Sequence, residues 1–182
     1  MEEVKIENVV ATATFPQEID LLSVVEAFPS VEYRPRQFPG LVFRLKKPKT
    51  ATLIFHSGKM VCTGAKSETQ ARKAINKVVK ELKNKGVGLS KPTIKVQNIV
   101  ASASLGVRVD LEKGSSSLER TMYEPEQFPG MVYRMKEPKV VILIFSTGKL
   151  VITGARREKE VYTAVSSLRQ KLEEHDLIQG SA

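Results

Sequence analysis

The sequence has no tryptophan and a single cysteine, Cys62. One thiol excludes an intrachain disulfide and favours a reducing compartment. The longest purely apolar run covers residues 140–145, which is far shorter than the roughly 20 residues of a membrane-spanning helix. The first ten residues are acidic and lead into a strand pattern, so we expect no signal peptide. These absences favour an intracellular globular protein.

The charge balance is more informative. The chain carries 29 Lys and Arg against 20 Asp and Glu, a formal net charge of +9. A surplus of this size favours polyanionic partners such as nucleic acid.

The chain is an internal duplication with a spacing of 90 residues. The segment QFPGLVFRLKKPK begins at Gln37, and QFPGMVYRMKEPK begins at Gln127. Residues 37–64 and 127–154 align without a gap and are identical at 17 of 28 positions. Two copies are too few for a solenoid. We therefore predict two repeats, 1–90 and 91–182, in an intramolecular pseudo-dimer with approximate two-fold symmetry.

Each repeat has the pattern of an α+β layer. In the first repeat, alternation predicts strands at 5–14, 41–46, 50–56 and 59–64. A short helix is expected at 21–27, and a longer one from Ser67 to Lys85, followed by a linker at 86–92. The long helix should bury Ala71, Ile75, Val78, Val79 and Leu82, and its counterpart Val161, Ala164, Val165, Leu168 and Leu172.

The strands predict an unusual second sheet face. A sheet covered by helices on one side is normally polar on the other. Here the alternation places mainly apolar side chains on the uncovered face: Val10, Val42, Leu53, Phe55 and Val61, with Val100, Val132, Leu143, Phe145 and Val151. Such a face indicates a binding surface, and the alternative is that two sheets pack face to face as a sandwich.

The doubled FPG, LIF, GK and TGA segments, with NVVATAT from Asn8 and NIVASAS from Asn98, resemble the TATA-box-binding protein family of archaeal and eukaryotic transcription. The similarity covers about residues 4–176, and the brief N-terminus resembles the archaeal form. It implies a saddle: a curved antiparallel sheet of ten strands with four helices on the convex face. It also implies a general transcription initiation factor that binds A·T-rich double-stranded promoter DNA through the minor groove, bends it and nucleates the preinitiation complex.

The resemblance assigns roles to specific residues. The residues that intercalate between base pairs would be Phe38, Phe55, Phe128 and Phe145. The residues that contact bases would be Asn8, Val10, Leu53, Val61 and Thr63, with Asn98, Val100, Leu143, Val151 and Thr153. The residues that contact phosphates would be Arg44, Ser57 and Lys59, with Arg134, Thr147 and Lys149. For each phenylalanine, core packing is the alternative, and for the Asn and Thr residues the alternative is solvation at a strand edge.

The loops before the two FPG segments differ in charge. The first reads YRPRQ and the second YEPEQ. By resemblance, Glu124, Glu126 and Gln127 would bind transcription factor B, and through it RNA polymerase indirectly. A self-dimer of the DNA-free protein is a further expectation.

An enzymatic function finds little support in the sequence. His56 and His175 are not repeated, Cys62 aligns with Ile152, and no carboxylate pair or metal-ligand spacing appears. We expect no cofactor, no metal and no membrane partner. The expected location is the cytoplasm at the nucleoid, or the nucleus if the source is eukaryotic. The competing function is a protein-interaction scaffold that uses its apolar sheet face as a dimer interface.

Overall fold

The computed structural model describes residues 3–178. These residues form two compact units, one of residues 8–97 and the other of residues 3–7 with 98–178. The repeat boundary predicted at residue 90 remains a prediction.

The elements follow the same order in both repeats, except that the second has one additional short strand. The first repeat consists of β1 (Glu3–Thr14), α1 (Leu21–Ala27), β2 (Leu41–Lys46), β3 (Lys49–Ile54), β4 (Lys59–Ala65) and α2 (Glu68–Asn84). The second consists of β5 (Thr93–Ser104), α3 (Leu111–Ser117), β6 (Thr121–Met122), β7 (Met131–Met135), β8 (Val140–Ile144), β9 (Lys149–Ala155) and α4 (Glu158–Glu174).

All the strand pairs within each unit are antiparallel. The order is β2-β3-β4-β1 in the first unit and β5-β9-β8-β7-β6 in the second. The expected α+β class, with two repeats, antiparallel strands and four helices, is confirmed. The expected number of ten strands is wrong, because the described residues form nine.

The missing strand is the counterpart of β6. In the first repeat only an isolated bridge forms there, between Glu32 and Val42. In the second repeat the N–H of Arg134 also donates to the carbonyl of Arg120, at 3.1 Å. This bond extends the pairing of Thr121 and Met122 with β7, which gives β6.

Each long helix packs on the sheet through one apolar stripe. Ser67 caps α2 by accepting a hydrogen bond from the N–H of Gln70 at 3.0 Å, which satisfies one of the unpaired donors of the first turn. All five predicted positions of the α4 stripe are buried. In α2 the prediction of Val79 is wrong, since Val79 is half-buried and Ala74 occupies the core instead.

The helices leave the other face of each sheet uncovered. Strand residues alternate between fully buried and half-buried, as in β3 and β4. The buried set faces the helices, because α2 contacts β2, β3 and β4, and α4 contacts β9. The half-buried set forms the uncovered face on which the candidate site lies.

Candidate nucleic-acid interface

Strand register aligns the uncovered side chains into rows. In the first unit one row runs across four strands through Val42, Leu53, Val61 and Thr12. The equivalent row of the second unit consists of Val132, Leu143, Val151 and Ser102. Directly opposed side chains on one face lie within contact distance. Each row therefore forms a continuous apolar strip that ends in a hydroxyl.

A second row carries charge and hydrogen-bonding groups. Arg44 lies opposite Ala51, which lies opposite Thr63, and Thr63 contacts Asn8 through its side chain. In the second unit the equivalent row consists of Arg134, Val141, Thr153 and Asn98. The predicted base-contacting Asn and Thr residues are thus brought together as pairs, whereas Ala51 and Val141 were not predicted. Period-two counting from Leu53 and Leu143 places them on this face.

The asparagine of each pair is held in one orientation. The Oδ1 of Asn8 accepts the N–H of Gly64 at 2.7 Å, and its Nδ2 donates to the Oγ1 of Thr63 at 3.1 Å. A β-bulge in β4, where Thr63 and Gly64 lie opposite Val10 alone, and the positive φ of Gly64, 99°, place this N–H beside the side chain. Because the amide oxygen and one hydrogen of Nδ2 are bonded inside the protein, the second hydrogen of Nδ2 is the group that the amide can offer to a ligand.

The second unit repeats this arrangement. The Oδ1 of Asn98 accepts the N–H of Gly154 at 2.7 Å, and its Nδ2 donates to Thr153 at 3.3 Å. Gly154 also has a φ of 99°. Val10 and Val100 lie two residues further along their strands and are half-buried on the same face.

The four predicted wedge residues form two aromatic pairs. The ring centroids of Phe38 and Phe55 are 5.8 Å apart at an interplanar angle of 66°, which is an edge-to-face contact. Phe38 is 43% exposed. Phe55 lies in the hairpin turn, where it exchanges hydrogen bonds with Lys59 and Gly58. The prediction that the strand extends to residue 56 is therefore wrong, because β3 ends at Ile54.

The other pair has nearly the same geometry. Phe128 and Phe145 are 5.8 Å apart at 64°, and Phe128 is 41% exposed. None of the four rings is fully buried, so core packing does not account for them.

The glycine of each FPG segment makes this packing possible. A Cβ on Gly40 would lie 2.6 Å from Cε2 of Phe38 and 3.0 Å from Cε1 of Phe55. On Gly130 the corresponding distances to Phe128 and Phe145 are 2.8 and 3.1 Å. The rings therefore pack against a bare backbone. The sequence analysis did not identify this contact of the glycines with the rings.

The turn that carries Phe55 is fixed by the preceding loop. The N–H of Phe15 donates to Gly58 and that of Ile19 donates to His56, both at 2.9 Å. A Cβ on Gly58 would lie 2.3 Å from the carbonyl oxygen of Gln17, so only glycine fits there. In the second unit Gly148 approaches Val107 in the same way.

The electrostatics of this loop centre on Asp20. Its carboxylate accepts hydrogen bonds from the hydroxyl and N–H of Ser23 and from the N–H of Leu22. The bond from the Ser23 hydroxyl is the main cause that lowers the pKa of Asp20. The ring Nδ1 of His56 lies 3.0 Å from the carbonyl oxygen of Ile19, and its Nε2 lies 3.1 Å from the exposed carboxylate of Glu18.

The predicted phosphate-contacting residues lie at the margin of the uncovered face. Arg44 and Arg134 project from β2 and β7 on that side, and Lys59 and Lys149 begin β4 and β9. All four are exposed, as are Ser57 and Thr147 in the adjoining turns. Arg44 lies 3.7 Å from the carboxylate of Glu32, but so exposed an ion pair holds the guanidinium only weakly.

The predicted partner-binding residues lie in the loop before the second FPG segment. Glu124, Glu126 and Gln127 are all exposed. The N–H groups of Gln127 and Phe128 both donate to the carbonyl of Glu124, each at 2.9 Å. The loop is thus a tight turn that presents two carboxylates beside an exposed ring.

Within residues 3–178, no group of three or more His, Cys, Asp or Glu residues could hold a metal ion. None of the helices in that range is long and apolar enough to cross a membrane.

Fold and site together define a class: two-repeat α+β proteins whose sheets present an apolar face that contains amide donors and is flanked by aromatic pairs. Residues 3–85 and 93–175 each match the family model described as "Transcription factor TFIID (or TATA-binding protein, TBP)". The chain is 56% identical over 176 residues to the TATA-box-binding protein of Sulfurisphaera tokodaii, and 57% identical over 176 residues to that of Sulfolobus acidocaldarius. Each alignment covers 96% of this chain and 89% of the relative.

A solved structure of a TBP supports the same family. The chain matches Methanococcus jannaschii TBP with a TM-score of 0.86 and 49% identity, over 94% of this chain and 99% of that one. The chain therefore belongs to the TATA-box-binding protein family, and its fold is the fold of that family rather than a sandwich.

Proposed function

We propose that this protein is a general transcription initiation factor that binds an A·T-rich promoter element through the minor groove and bends it. The observation that carries the proposal is the uncovered face. There, apolar rows, asparagines whose side-chain oxygens accept backbone N–H groups, and exposed phenylalanines occur together in both repeats. Family membership supports the same function.

The chemistry of the face fits an A·T minor groove. A·T and T·A pairs present only acceptors there, N3 of adenine and O2 of thymine, whereas G·C adds the N2 amino donor of guanine. Asn8 and Asn98 can each offer the groove one amide hydrogen, since their oxygens accept from Gly64 and Gly154 and one hydrogen of each Nδ2 is donated to a threonine. The surrounding Val and Leu side chains offer no acceptor to guanine. The face therefore favours A·T pairs without distinguishing their orientation.

The phenylalanine pairs fit the role of wedges. Insertion of apolar side chains between base steps kinks DNA away from the protein, a mode for which this family is a standard example. It costs a few kcal/mol per unstacked step, offset by the larger surface that the bent duplex covers. Flexible TA steps lower that cost. In this arrangement Arg44, Ser57, Lys59, Arg134, Thr147 and Lys149 would contact the phosphates.

The acidic loop of the second repeat fits a protein partner. Two exposed carboxylates would be repelled by phosphate, so this loop is poorly suited to DNA. We assign Glu124, Glu126 and Gln127 to the binding of transcription factor B, which would link the complex to RNA polymerase in a nucleoid-associated setting. We assign no catalytic role to any residue.

Fluorescence anisotropy separates this function from the scaffold alternative. A TATA duplex and a matched duplex with G·C substitutions are titrated with the protein, and strong A·T preference is expected. A Phe38→Ala/Phe128→Ala variant should lose most of the DNA bend, measured by energy transfer between dyes at the duplex ends. Equal affinity for both duplexes, together with dimer formation in sedimentation experiments, would favour the scaffold.

The loop assignment has its own test. Glu124→Arg with Glu126→Arg should weaken recruitment of transcription factor B to the protein–DNA complex, while binary DNA binding survives. Equal loss of both activities would contradict the assignment.

A further inference from the structure

The loops before the two exposed phenylalanines have equivalent backbone hydrogen bonds but carry opposite charges. Residues 33–38 read Tyr-Arg-Pro-Arg-Gln-Phe, and residues 123–128 read Tyr-Glu-Pro-Glu-Gln-Phe. The two arginines give the first loop a charge of +2, and the two glutamates give the second −2. No other residue in these six-residue segments differs.

The hydrogen bonding of the two loops is equivalent. In the first loop, the N–H groups of Gln37 and Phe38 donate to the carbonyl of Arg34 at 2.9 and 3.0 Å. In the second, the corresponding groups donate to Glu124, both at 2.9 Å. The charged positions thus lie within one turn of an exposed ring in both loops. Charge, rather than shape, distinguishes the two.

Both guanidinium groups of the first loop are available to a ligand. Arg34 and Arg36 are exposed. The neighbouring carboxylate of Glu32 lies beside Arg44, on the side of the strand. Within residues 3–178, no carboxylate forms an ion pair with Arg34 or Arg36.

We infer that Arg34 and Arg36 form an additional phosphate-binding site, which contacts duplex DNA flanking the A·T element on the side of the first repeat only. The inference rests on the proposed function. β2 is the outermost strand of its unit, and the loop precedes β2, so its side chains lie beyond the rows that face the bases. Guanidinium groups bind phosphate oxygens in a bidentate manner.

Duplex DNA is favoured over an acidic protein because the loop is continuous with the proposed DNA face. The backbone N–H of Phe38, a proposed wedge, donates a hydrogen bond to the carbonyl of Arg34. A duplex that reaches this ring extends past it, and its phosphates then lie beside the two arginines. At the second repeat the same path would meet Glu124 and Glu126, which repel phosphate. The protein should therefore require flanking duplex on one side of the element more than on the other.

The test is the salt dependence of binding to an A·T element with long flanks. Arg34→Gln with Arg36→Gln should make the slope of log K against log salt less negative by about 1.8, since each phosphate contact contributes about 0.9. Between 50 and 200 mM salt this change corresponds to about a tenfold difference in the loss of affinity. Arg34→Lys with Arg36→Lys should retain most of the wild-type slope. The matched control, Glu124→Gln with Glu126→Gln, should not make the slope less negative.

Truncated duplexes locate the contact. When the flank beside the first repeat is removed, wild type and the Arg→Gln variant should have the same slope. If wild type prefers the A·T element but the Arg→Gln variant keeps the wild-type slope on long flanks, the inference is overturned and the arginines are left to an acidic partner. If wild type itself shows no A·T preference, the proposed function fails and this inference fails with it.

Discussion

Replacing Asn8 by aspartate separates its structural role from its proposed role in DNA binding. In the folded protein the side-chain oxygen accepts the N–H of Gly64 at 2.7 Å, and the amide nitrogen donates to Thr63. A carboxylate can still accept from Gly64. It can also accept from the hydroxyl of Thr63, which already lies 3.4 Å from the oxygen of Asn8. The substitution removes only the donor and adds a negative charge to the DNA face.

The expected effect on binding is large and the effect on folding small. Loss of one donor to a groove acceptor costs about 1–3 kcal/mol, because that acceptor is then buried without a partner. Repulsion between the carboxylate and the groove adds to this. We expect a total of about 3 kcal/mol, which is roughly a hundredfold in Kd. The free energy of unfolding should change by less than about 1 kcal/mol, since the bond to Gly64 remains.

The assay combines anisotropy on a TATA duplex with urea denaturation. Asn98→Asp is the matched variant in the second repeat, where Gly154 and Thr153 occupy the same places. Asn8→Ala is the contrasting variant: it leaves the Gly64 N–H without this acceptor and should cost about 1–3 kcal/mol of stability. The reasoning is refuted if Asn8→Asp binds DNA within twofold of wild type. It is also refuted if Asn8→Asp is as unstable as Asn8→Ala.

Three further predictions concern the rings, the core and the loop before α1. Gly40→Ala places a Cβ 2.6 Å from the ring of Phe38, so the DNA bend measured by energy transfer should fall. Gly88→Ala, which meets nothing within 4 Å, should leave the bend unchanged. Thr52→Val removes a fully buried hydroxyl that makes no hydrogen bond to oxygen or nitrogen in the described chain and whose cross-strand neighbour is the weakly bonding thiol of Cys62. The substitution should raise the free energy of unfolding by about 1 kcal/mol; a lower urea midpoint would contradict this. Asp20 has a lowered pKa, so its ionised carboxylate stabilises the folded protein above the ordinary carboxyl pKa, and this stabilisation is lost as pH falls through the lower folded value. The difference in melting temperature between wild type and Asp20→Asn should therefore shrink below about pH 4. A difference that stays constant with pH would contradict this prediction.

The element order and the faces of the strands could be predicted from the sequence because both are local. The 90-residue spacing identified the repeats, and period-two alternation placed Val42, Leu53 and Val61 on one face. The helix stripe of α4 was also correct, because a 3.6-residue period suffices to identify it. These patterns require no knowledge of distant contacts.

The features that sequence analysis missed depend on register and turn geometry. The contact of Gly40 with two rings arises only when the hairpin turn returns Phe55 to the FPG loop. The orientation of Asn8 depends on a bulge in β4 that brings the N–H of Gly64 to its side-chain oxygen. Val79 was placed in the core because its apolar character fits the stripe, but the angular position of Ala74 fits the sheet better. Such details follow from tertiary contacts rather than from periodicity.

The comparison between repeats also indicates which sheet face is constrained by a ligand. On the covered face, the two repeats differ at eight of twelve equivalent strand positions; Thr50, Thr52 and Cys62, for example, correspond to Val140, Ile142 and Ile152. At the ten positions described above on the uncovered face they differ at only two, Thr12 and Ala51; the ten are Asn8, Val10, Thr12, Val42, Arg44, Ala51, Leu53, Phe55, Val61 and Thr63. In the adjoining hairpin turn His56 and Ser57 also differ, from Ser146 and Thr147. A core tolerates such changes when volume and patterning are kept. Packing therefore does not explain why the half-exposed face is the more uniform of the two. A ligand that presents the same chemistry to both repeats does, and the minor groove of A·T-rich DNA is such a ligand because it offers the same acceptors on either strand.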